Sequence, residues 1–494
     1  MVLFLTFLDT TIVSVTLGDI EGDLSAGVIP LQWVINAYAL VFASFMLTLG
    51  SLGDRFGRKR MMVAGVVIFC VGSIMCALAP TVSWIIAGRG VMGVGAAASE
   101  PGTLSVIRQL YPDRSERARA LGAWSAVSGL ALALGPVIGG LLVSAGGWRS
   151  VFWFNLGLSV ILLFAVQAFI PESRDPQRGG IDFAGFALGT FGIGAVIFAV
   201  IWGENNGYGT WWIVLLFALG GLALVVFGPI EKRVKAPMLN LQYLSKPIVR
   251  SALFAAFSVY LGVFAIFFLT ALYLDVGAQY SGLRLAGVFA PMALAIVLGG
   301  FAAGRWVGRV GSRTPMVAGC ALAAVGMLVG RHALAQVHIP GQPGHASTSV
   351  FMMLIAGLAM SGLGFGITVV PLTSAVLSHV PGRHSGMAAS ATNTARQLGA
   401  VAGVAALGAI VNAHLVDEVI RSTSGLLVGT RGGILAILET GGKGTIDLSA
   451  IPANYIAAFR QGLQVSLLVA TAVIALAGLV AAFVREPPED EEAL

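Results

Sequence analysis

Apolar runs of about 17 to 25 residues recur along the whole chain, and short polar stretches separate them. Runs of this length indicate α-helices that cross a bilayer, because about 20 residues at 1.5 Å each span a hydrocarbon core of ~30 Å. The predicted spans lie near residues 1–17, 31–51, 61–79, 83–106, 121–145, 151–170, 183–203, 211–230, 251–273, 284–304, 315–336, 350–372, 386–411 and 463–484. The pattern therefore predicts an all-α membrane protein with 14 spans.

The first predicted span is the weakest of the set. Asp9 interrupts its apolar run, and the 17 residues before Gly18 reach only about 26 Å. We expect this helix either to lie shallowly in the bilayer or to be truncated at its start. A signal peptide is not expected, because no basic leader precedes the apolar run.

Composition supports an integral membrane protein, with 57% hydrophobic residues, 11% charged residues and a mean hydropathy of +0.89. Cys70, Cys76 and Cys320 all fall within apolar runs, so neither a disulfide nor a metal site is predicted. The net charge of +6 is typical of basic cytoplasmic loops on a membrane protein. Neither a nucleic-acid partner nor a cofactor is expected.

The distribution of basic residues predicts the orientation. An even number of spans puts both termini on one side, and the loops of that side hold 20 of the 29 lysines and arginines. Tryptophans fall at the opposite ends of the spans, where an amphipathic ring prefers the interface, at positions 33, 84, 148, 202, 211 and 212. We predict cytoplasmic termini, and the preference for arginine over lysine suggests a bacterial cytoplasmic membrane.

An internal repeat predicts the domain organisation. The stretch GSLGDRFGRKR at 50–60 is echoed by GRWVGRVGSRT at 304–314, and each connects the second and third spans of a six-span block. Parallel repeats of this kind place a substrate site at their interface near the middle of the bilayer. The predicted parts are a six-helix bundle at 1–170, two additional helices within 171–250, a second six-helix bundle at 251–484 with a long outer loop at 412–462, and an acidic tail at 485–494.

Four motifs stand out: the loop motif GSLGDRFGRKR at 50–60, the fourth-span motif IIAGRGVMGVGAA, LGPVIGG at 134–140, and the first-span motif LDTTIVSVTL at 8–17. They resemble those of the major facilitator superfamily, and within it the fourteen-span drug:proton antiporters. The resemblance covers nearly the whole chain. It implies a monomeric exporter of amphiphilic drugs, dyes, biocides or antibiotics that exchanges them for protons by alternating access. Met92, Ser14 and Gly18 depart from the residues usual in these motifs, which weakens the transfer of individual roles.

The loop motif combines glycines with charges of both signs. Its candidate residues are Gly50, Asp54, Arg55, Gly57, Arg58 and Lys59. Glycines permit a tight turn and close approach of helices, and the charges can exchange partners as the two halves move. The resemblance implies a cytoplasmic latch. A simple positive-inside anchor is the alternative, although it explains neither the aspartate nor the glycine spacing.

The fifth-span motif predicts a bent helix with a smooth face. Pro136 removes a backbone donor, and Gly135, Gly139 and Gly140 permit close packing against a neighbour. The resemblance associates this motif with antiport. Glycine-rich packing without a role in coupling is the alternative.

Asp9 and Arg89 are the candidates for proton coupling. A charge in the middle of a membrane is costly and usually has a task. Counted from the outer ends of their spans, Arg89 lies about 10 Å deep and Asp9 about 13 Å deep, so the two can meet. We predict that Asp9 takes and releases the coupling proton, while a nearby Arg89 favours its ionised form. A permanent ion pair that only fastens two helices is the alternative.

Glu100 shares a helix face with Arg89, since eleven steps of 100° return to within about 20° of the same direction. The distance along the helix, roughly 16 Å, forbids direct contact. Glu100 is predicted to be a second proton site or a carboxylate that binds a cationic substrate. A carboxylate that only reaches toward Arg108 is the alternative.

The thirteenth span carries Asn393, Arg396 and Gln397, which are candidates for a gate or substrate contact. No carboxylate lies on that helix, so no partner for Arg396 is predicted, and a packing role is equally compatible with the sequence. Asp275 is a weaker candidate, because a solvated helix end explains it as well. The loop at 412–462 is interpreted either as a hairpin over the exit or as a tolerated insertion.

Other functions fit the sequence less well. An intramembrane enzyme is disfavoured because HExxH, GxSxG and paired histidines within spans are missing. ATP as the energy source is disfavoured because ETGGKGT lacks the leading glycine of a phosphate-binding loop. Protons are preferred to sodium, since the intramembrane carboxylates are few and scattered. An exporter of lipids or secondary metabolites, or a membrane sensor or channel, is the alternative.

Overall fold

The computed structural model describes residues 1–173, 182–234, 237–274, 282–337, 348–422 and 453–484. Within these ranges, fourteen helices are long and apolar enough to cross a bilayer, counting one bent helix as a single span, and no strand occurs. They are α1 Val2–Leu24, α2 Val28–Phe56, α3 Arg58–Ala77, α4 Val82–Leu110, α5 Arg114–Gly146, α6 Arg149–Phe169, α7 Phe183–Asn206, α8 Trp211–Glu231, α9 Pro247–Thr270, α10 Gly282–Val310, α11 Arg313–Ala335, α12 Thr348–Ser378, α13 Ser385–Ser422 and α14 Ala453–Phe483. The predicted all-α fold with fourteen spans is confirmed.

The first helix is longer than predicted. It continues through the acidic stretch 19–23 and ends at Leu24, where Ser25 adopts a left-handed conformation with φ of +48°. Its 23 residues reach about 34 Å, which is enough to cross the hydrocarbon core. The first helix therefore extends beyond the apolar run that predicted it, because polar residues lower hydropathy without ending a helix.

The long outer loop is shorter than predicted, for the same reason. Helix α13 continues to Ser422 and α14 begins at Ala453, so both ends of the stretch predicted as loop are helical. Residues 423–452, the tail at 485–494 and the candidate Asp275 lie outside the described residues.

Two helices that pack together are irregular. In α1, the hydroxyls of Thr11, Ser14 and Thr16 donate to carbonyls three residues back, and the helix tightens into a 3₁₀ turn over Val13–Thr16. In α5, the axis bends by 40° between residues 132 and 134, where Pro136 leaves a carbonyl without its helical donor. Both distortions lie near the residues of the candidate site.

The repeated glycines each lie at a seam between the two six-helix bundles. A Cβ on Gly50 of α2 would lie 2.9 Å from the Cβ of Ser390 on α13, and one on Gly304 of α10 would lie 2.7 Å from the Ala118 carbonyl on α5. The two seams, α2 with α13 and α5 with α10, therefore correspond through the repeat. A buried apolar cluster continues from α1, α4 and α5 into the helices of the second bundle. We call the end of the molecule that carries loops 52–61, 107–120 and 304–314 the basic end.

The two additional helices lie beside α2. Thr48 of α2 and Thr190 of α7 share a hydrogen bond of 2.9 Å, and the rings of Trp33 and Trp202 are 5.0 Å apart. Beyond α8, the Met238 carbonyl accepts a hydrogen bond of 3.1 Å from Ser51 on α2. The additional pair is thus anchored to the amino-terminal bundle, next to the α2–α13 seam.

Candidate functional site

Asp9 and Arg89 form an ion pair inside the amino-terminal bundle. Arg89 Nη1 donates to Asp9 Oδ2 at 2.5 Å, and both side chains are buried, with 1% and 0% exposure. Arg89 Nε donates to the Val34 carbonyl at 2.9 Å, and the Tyr38 ring lies 4.4 Å from the guanidinium carbon. The structure thus brings together the two charges that helix depth had paired.

Asn155 holds the second oxygen of the same carboxylate. Its Nδ2 donates to Asp9 Oδ1 at 2.7 Å, from α6 and with 0% exposure. Asn155 was not among the predicted site residues, although an amide in the middle of an apolar span was a usable signal. Asp9 is therefore fixed from two helices, and a proton that neutralised it would leave the Arg89 charge without its partner.

Glu100 lies on α4, the helix of Arg89, and its carboxylate contacts α1, the helix of Asp9. Thr6 of α1 donates to Glu100 Oε2 at 3.4 Å, and Glu100 is 2% exposed. Thr6 and Asp9 are three residues apart, so the same face of α1 carries the Asp9 carboxylate and contacts the Glu100 carboxylate. The charge of Glu100 also interacts electrostatically with Arg396 of the second bundle.

Arg396 lies between the two bundles among neutral partners. Its Nη1 donates to Asn393 Oδ1 at 2.9 Å and its Nη2 to Thr373 Oγ1 of α12 at 2.5 Å. Its guanidinium carbon lies 4.8 Å from the Trp124 ring of α5 and 5.5 Å from the Tyr260 ring of α9. The contacts with Thr373, Trp124 and Tyr260, which were not predicted from the sequence, come from helices far apart along the chain.

Further hydrogen bonds connect Trp124 to the helix of Glu100. Trp124 Nε1 donates to Thr103 Oγ1 at 3.1 Å, and Thr103 in turn donates to the Glu100 carbonyl at 2.7 Å. The Glu100 and Arg396 groups therefore lie where α1, α4 and α5 meet α9, α12 and α13. Gln397 is partly buried, and its side chain has no hydrogen bond to another described residue.

The loop motif joins the two bundles at the basic end. Asp54 of α2 accepts hydrogen bonds from the backbone N–H groups of Gly386 and Met387 in the first turn of α13, at 2.8 and 2.9 Å. Arg58 donates to Asp54 at 2.8 Å and to the Gly382 carbonyl at 2.9 Å. A carboxylate at a helix N-terminus accepts hydrogen bonds from the unpaired backbone N–H groups and also interacts favourably with the helix dipole. The contact is a charged closure of the α2–α13 seam.

The rest of the loop motif binds the segment after α6. Gly57 has a φ of +111°, and a Cβ there would lie 2.6 Å from Glu172 Oε1. Glu172 accepts from the backbone N–H of Lys59 at 3.2 Å, and Lys59 Nζ donates to the Gln167 carbonyl at 2.8 Å. Arg55 instead stacks on its neighbour in sequence, 5.2 Å from the ring of residue 56. Glu172 was not predicted from the sequence.

The fifth-span motif packs against the helix that carries Asp9. A Cβ on Gly135 would overlap the Thr11 hydroxyl and lie 2.8 Å from Thr11 Cβ, and one on Gly139 would lie 3.0 Å from the Ile12 carbonyl. A Cβ on Gly140 would meet nothing within 4 Å. Two of the three predicted glycines, with the bend at Pro136, therefore shape the contact of α5 with α1.

Comparisons with known proteins agree with this architecture. The family model described as Major Facilitator Superfamily matches residues 1–404. Multidrug resistance protein Stp of Mycobacterium tuberculosis is 31% identical over 413 residues, which cover 84% of this chain and 74% of Stp. The probable actinorhodin transporter of Streptomyces coelicolor is 32% identical over 411 residues, covering 82% of this chain and 69% of the relative.

A solved structure shows the same fold. The crystal structure of the human organic anion transporter MFSD10 (TETRAN) has a TM-score of 0.63 at 15% sequence identity, and the match covers 97% of this chain and 98% of that one. The family match and the two relatives carry the assignment further than fold. This chain belongs to the Major Facilitator Superfamily, and its relatives are multidrug and antibiotic resistance transporters.

Proposed function

We propose that this chain is a proton-coupled exporter of amphiphilic small molecules that works by alternating access in the bacterial cytoplasmic membrane. One observation carries the proposal: the buried Asp9 carboxylate, bound through one oxygen by Arg89 and through the other by Asn155. Ionisable groups at such depth are expensive and mark ion or proton pathways. The drug-resistance names of the relatives support drug export.

Coupling follows from the charge balance of this pair. When Asp9 is ionised, its attraction to Arg89 holds α1 against α4. A proton on Asp9 removes that attraction and leaves a buried guanidinium to find other partners, which favours a different arrangement of the helices. Protonation and helix position are thus linked, as antiport requires.

The loop motif supplies the second element of alternating access. By the positive-inside rule, the basic end faces the cytoplasm. Asp54 and Arg58 close the α2–α13 seam at that end, which supports a proposed state that is closed to the cytoplasm. Loading of substrate from the cytoplasm requires this contact to open, which breaks the hydrogen bonds between Asp54 and the N-terminus of α13.

Transport in vesicles with an imposed pH gradient tests the proposal. A panel of ethidium, tetraphenylphosphonium and anthracene-9-carboxylate is offered to unsubstituted protein, Asp9→Asn and Asp23→Asn. Asp23 is a matched control, because it lies on the same helix as Asp9 and accepts a hydrogen bond of 2.6 Å from an arginine, Arg149. Unlike Asp9, its side chain is 48% exposed. We expect Asp9→Asn to reduce the rate of transport against the substrate gradient at least tenfold, while substrate still equilibrates down its gradient. Asp23→Asn is expected to retain both activities.

The outcomes separate the candidate functions. Uphill transport that persists in Asp9→Asn removes this carboxylate from the mechanism. An ion current that needs no substrate favours a channel instead.

A further inference from the structure

The two arginines in the middle of the membrane differ in how their charges are balanced. Arg89 binds a carboxylate directly, and its Nε is satisfied by a backbone carbonyl. Arg396 is equally buried, at 2% exposure, but its hydrogen bonds go to an amide and a hydroxyl, those of Asn393 and Thr373. Within the described ranges, no carboxylate lies in ion-pair contact with it.

Glu100 balances this charge only from a distance. The two groups interact electrostatically, but the hydrogen bond of Glu100 goes to Thr6 and not to Arg396. A buried guanidinium without a bonded anion is costly, and proteins normally supply the counter-ion or retain the charge for a ligand. The second bundle thus presents a positive charge toward the first without a direct anionic partner.

Two buried donors at this site lack acceptors. They are Arg396 Nε and Asn393 Nδ2, whose side chains are 2% and 1% exposed, and neither has a partner among the residues that the structure describes. Buried polar groups are hydrogen-bonded in the large majority of cases, so each exception requires an explanation. Both groups without a hydrogen-bond partner are N–H donors, and they belong to side chains one turn apart on α13.

Two aromatic rings contact the Arg396 guanidinium. Trp124 from the first bundle and Tyr260 from the second both lie over the guanidinium, within the range of cation–π contact. A positive charge, two N–H donors without acceptors and the neighbouring aromatic side chains complement an aromatic molecule that carries an anionic oxygen group.

We infer that the exported substrate is an aromatic amphiphile with an anionic oxygen group, a carboxylate or phenolate, that accepts hydrogen bonds from Arg396 Nε and Asn393 Nδ2. This inference rests on the proposed export function and names its substrate class. Ionised Glu100 opposes such an anion, whereas it would attract a lipophilic cation that Arg396 repels. The two substrate classes therefore predict opposite effects of removing either charge.

Equilibrium binding in nanodiscs, without any gradient, tests the inference. The probes are anthracene-9-carboxylate and protonated 9-(aminomethyl)anthracene, which share one flat ring and differ in the sign of charge. We expect the carboxylate to bind more tightly, to lose at least tenfold of its affinity in Arg396→Gln, and to bind Glu100→Gln at least as tightly as the unsubstituted protein. Asn393→Asp, which offers Arg396 an internal carboxylate, is expected to abolish carboxylate binding without loss of fold.

Thermal unfolding of each variant, with Asp23→Asn as the control, separates lost binding from lost structure. The inference is overturned if the ammonium probe binds more tightly and loses affinity in Glu100→Gln. It is also overturned if Arg396→Gln leaves both the unfolding temperature and the affinity for each probe unchanged. The two N–H groups would then donate to water and not to the substrate. If either of these results is obtained while the vesicle experiment shows proton-driven transport, only the inference about the substrate fails, and the proposed export function stands.

Discussion

The close packing of α2 against α13 predicts that Gly50→Ala destabilises the closed seam by a calculable amount. The new Cβ would lie 2.9 Å from Ser390 Cβ across the seam and 2.9 Å from Pro101 Cβ within the same bundle. Carbon atoms prefer separations of about 3.5–4.0 Å, so α2 and α13 must move apart by roughly 0.5–1 Å. Overpacking of this kind costs about 1–3 kcal/mol. The part due to Ser390 acts only while the seam is closed, and it therefore shifts the protein toward the open state.

Labelling of a cysteine at Ser385 measures that shift. Ser385 begins α13 and is 1% exposed, so a maleimide reaches it only when the basic end opens. An energy difference of 1–3 kcal/mol corresponds to about a 5–150-fold change in equilibrium. Because the Pro101 part of the cost is present in both states, this range is the upper limit of the expected rise in labelling rate. The native cysteines, all buried, are replaced in the background protein.

Gly53→Ala is the matched control for this experiment. It lies one turn along α2, and its Cβ would meet Met61 at an ordinary 3.9 Å. Ser390→Gly in the Gly50→Ala protein is expected to restore slow labelling in part. Equal labelling rates in Gly50→Ala and Gly53→Ala would refute the reasoning, because the seam would then tolerate the methyl group.

Further predictions concern other contacts. Asp54→Asn removes the charge at the start of α13, and labelling of the same reporter cysteine is expected to rise more than tenfold. Gly135→Ala, which crowds α1, is expected to lower the unfolding temperature by several degrees, whereas Gly140→Ala leaves it unchanged, as measured by scanning fluorimetry. The Ser115 side chain donates to Asp113 in the turn before α5 and holds its pKa below the ordinary value. This contribution to stability is present above the ordinary carboxyl pKa of about 3.9 and lost as pH falls through the lowered value, so the unfolding temperature should fall more steeply between about pH 5 and pH 3 than in Asp113→Ala.

Hydropathy was sufficient to predict the helices but not their ends. Apolar runs identify what lies in the hydrocarbon, and all fourteen predicted spans have a helical counterpart. Helices continue beyond that region wherever backbone hydrogen bonds continue, as α1 does through its acidic last turn and α13 does to Ser422. Polar composition carries no signal that separates such a turn from a loop.

The candidate site was predictable where depth or motif supplied the information. Asp9 and Arg89 could be paired because two helices that cross one bilayer place their residues on a common scale. The partners of Arg396 could not be found in this way, because Trp124 and Tyr260 reach it from helices whose neighbours and rotation depend on tertiary packing. The Asp54 contact with α13 was also hidden, since its donors are backbone groups that no residue type marks.

The most direct test of proton exchange at Asp9 runs the transporter in reverse. Vesicles that hold a pH dye are given a gradient of a transported substrate and no pH gradient. Substrate flow is expected to move protons in the opposite direction with the unsubstituted protein and with Asp23→Asn, but not with Asp9→Asn. Substrate-driven proton movement of equal size in Asp9→Asn, or substrate flow without any proton movement in the unsubstituted protein, would contradict this expectation.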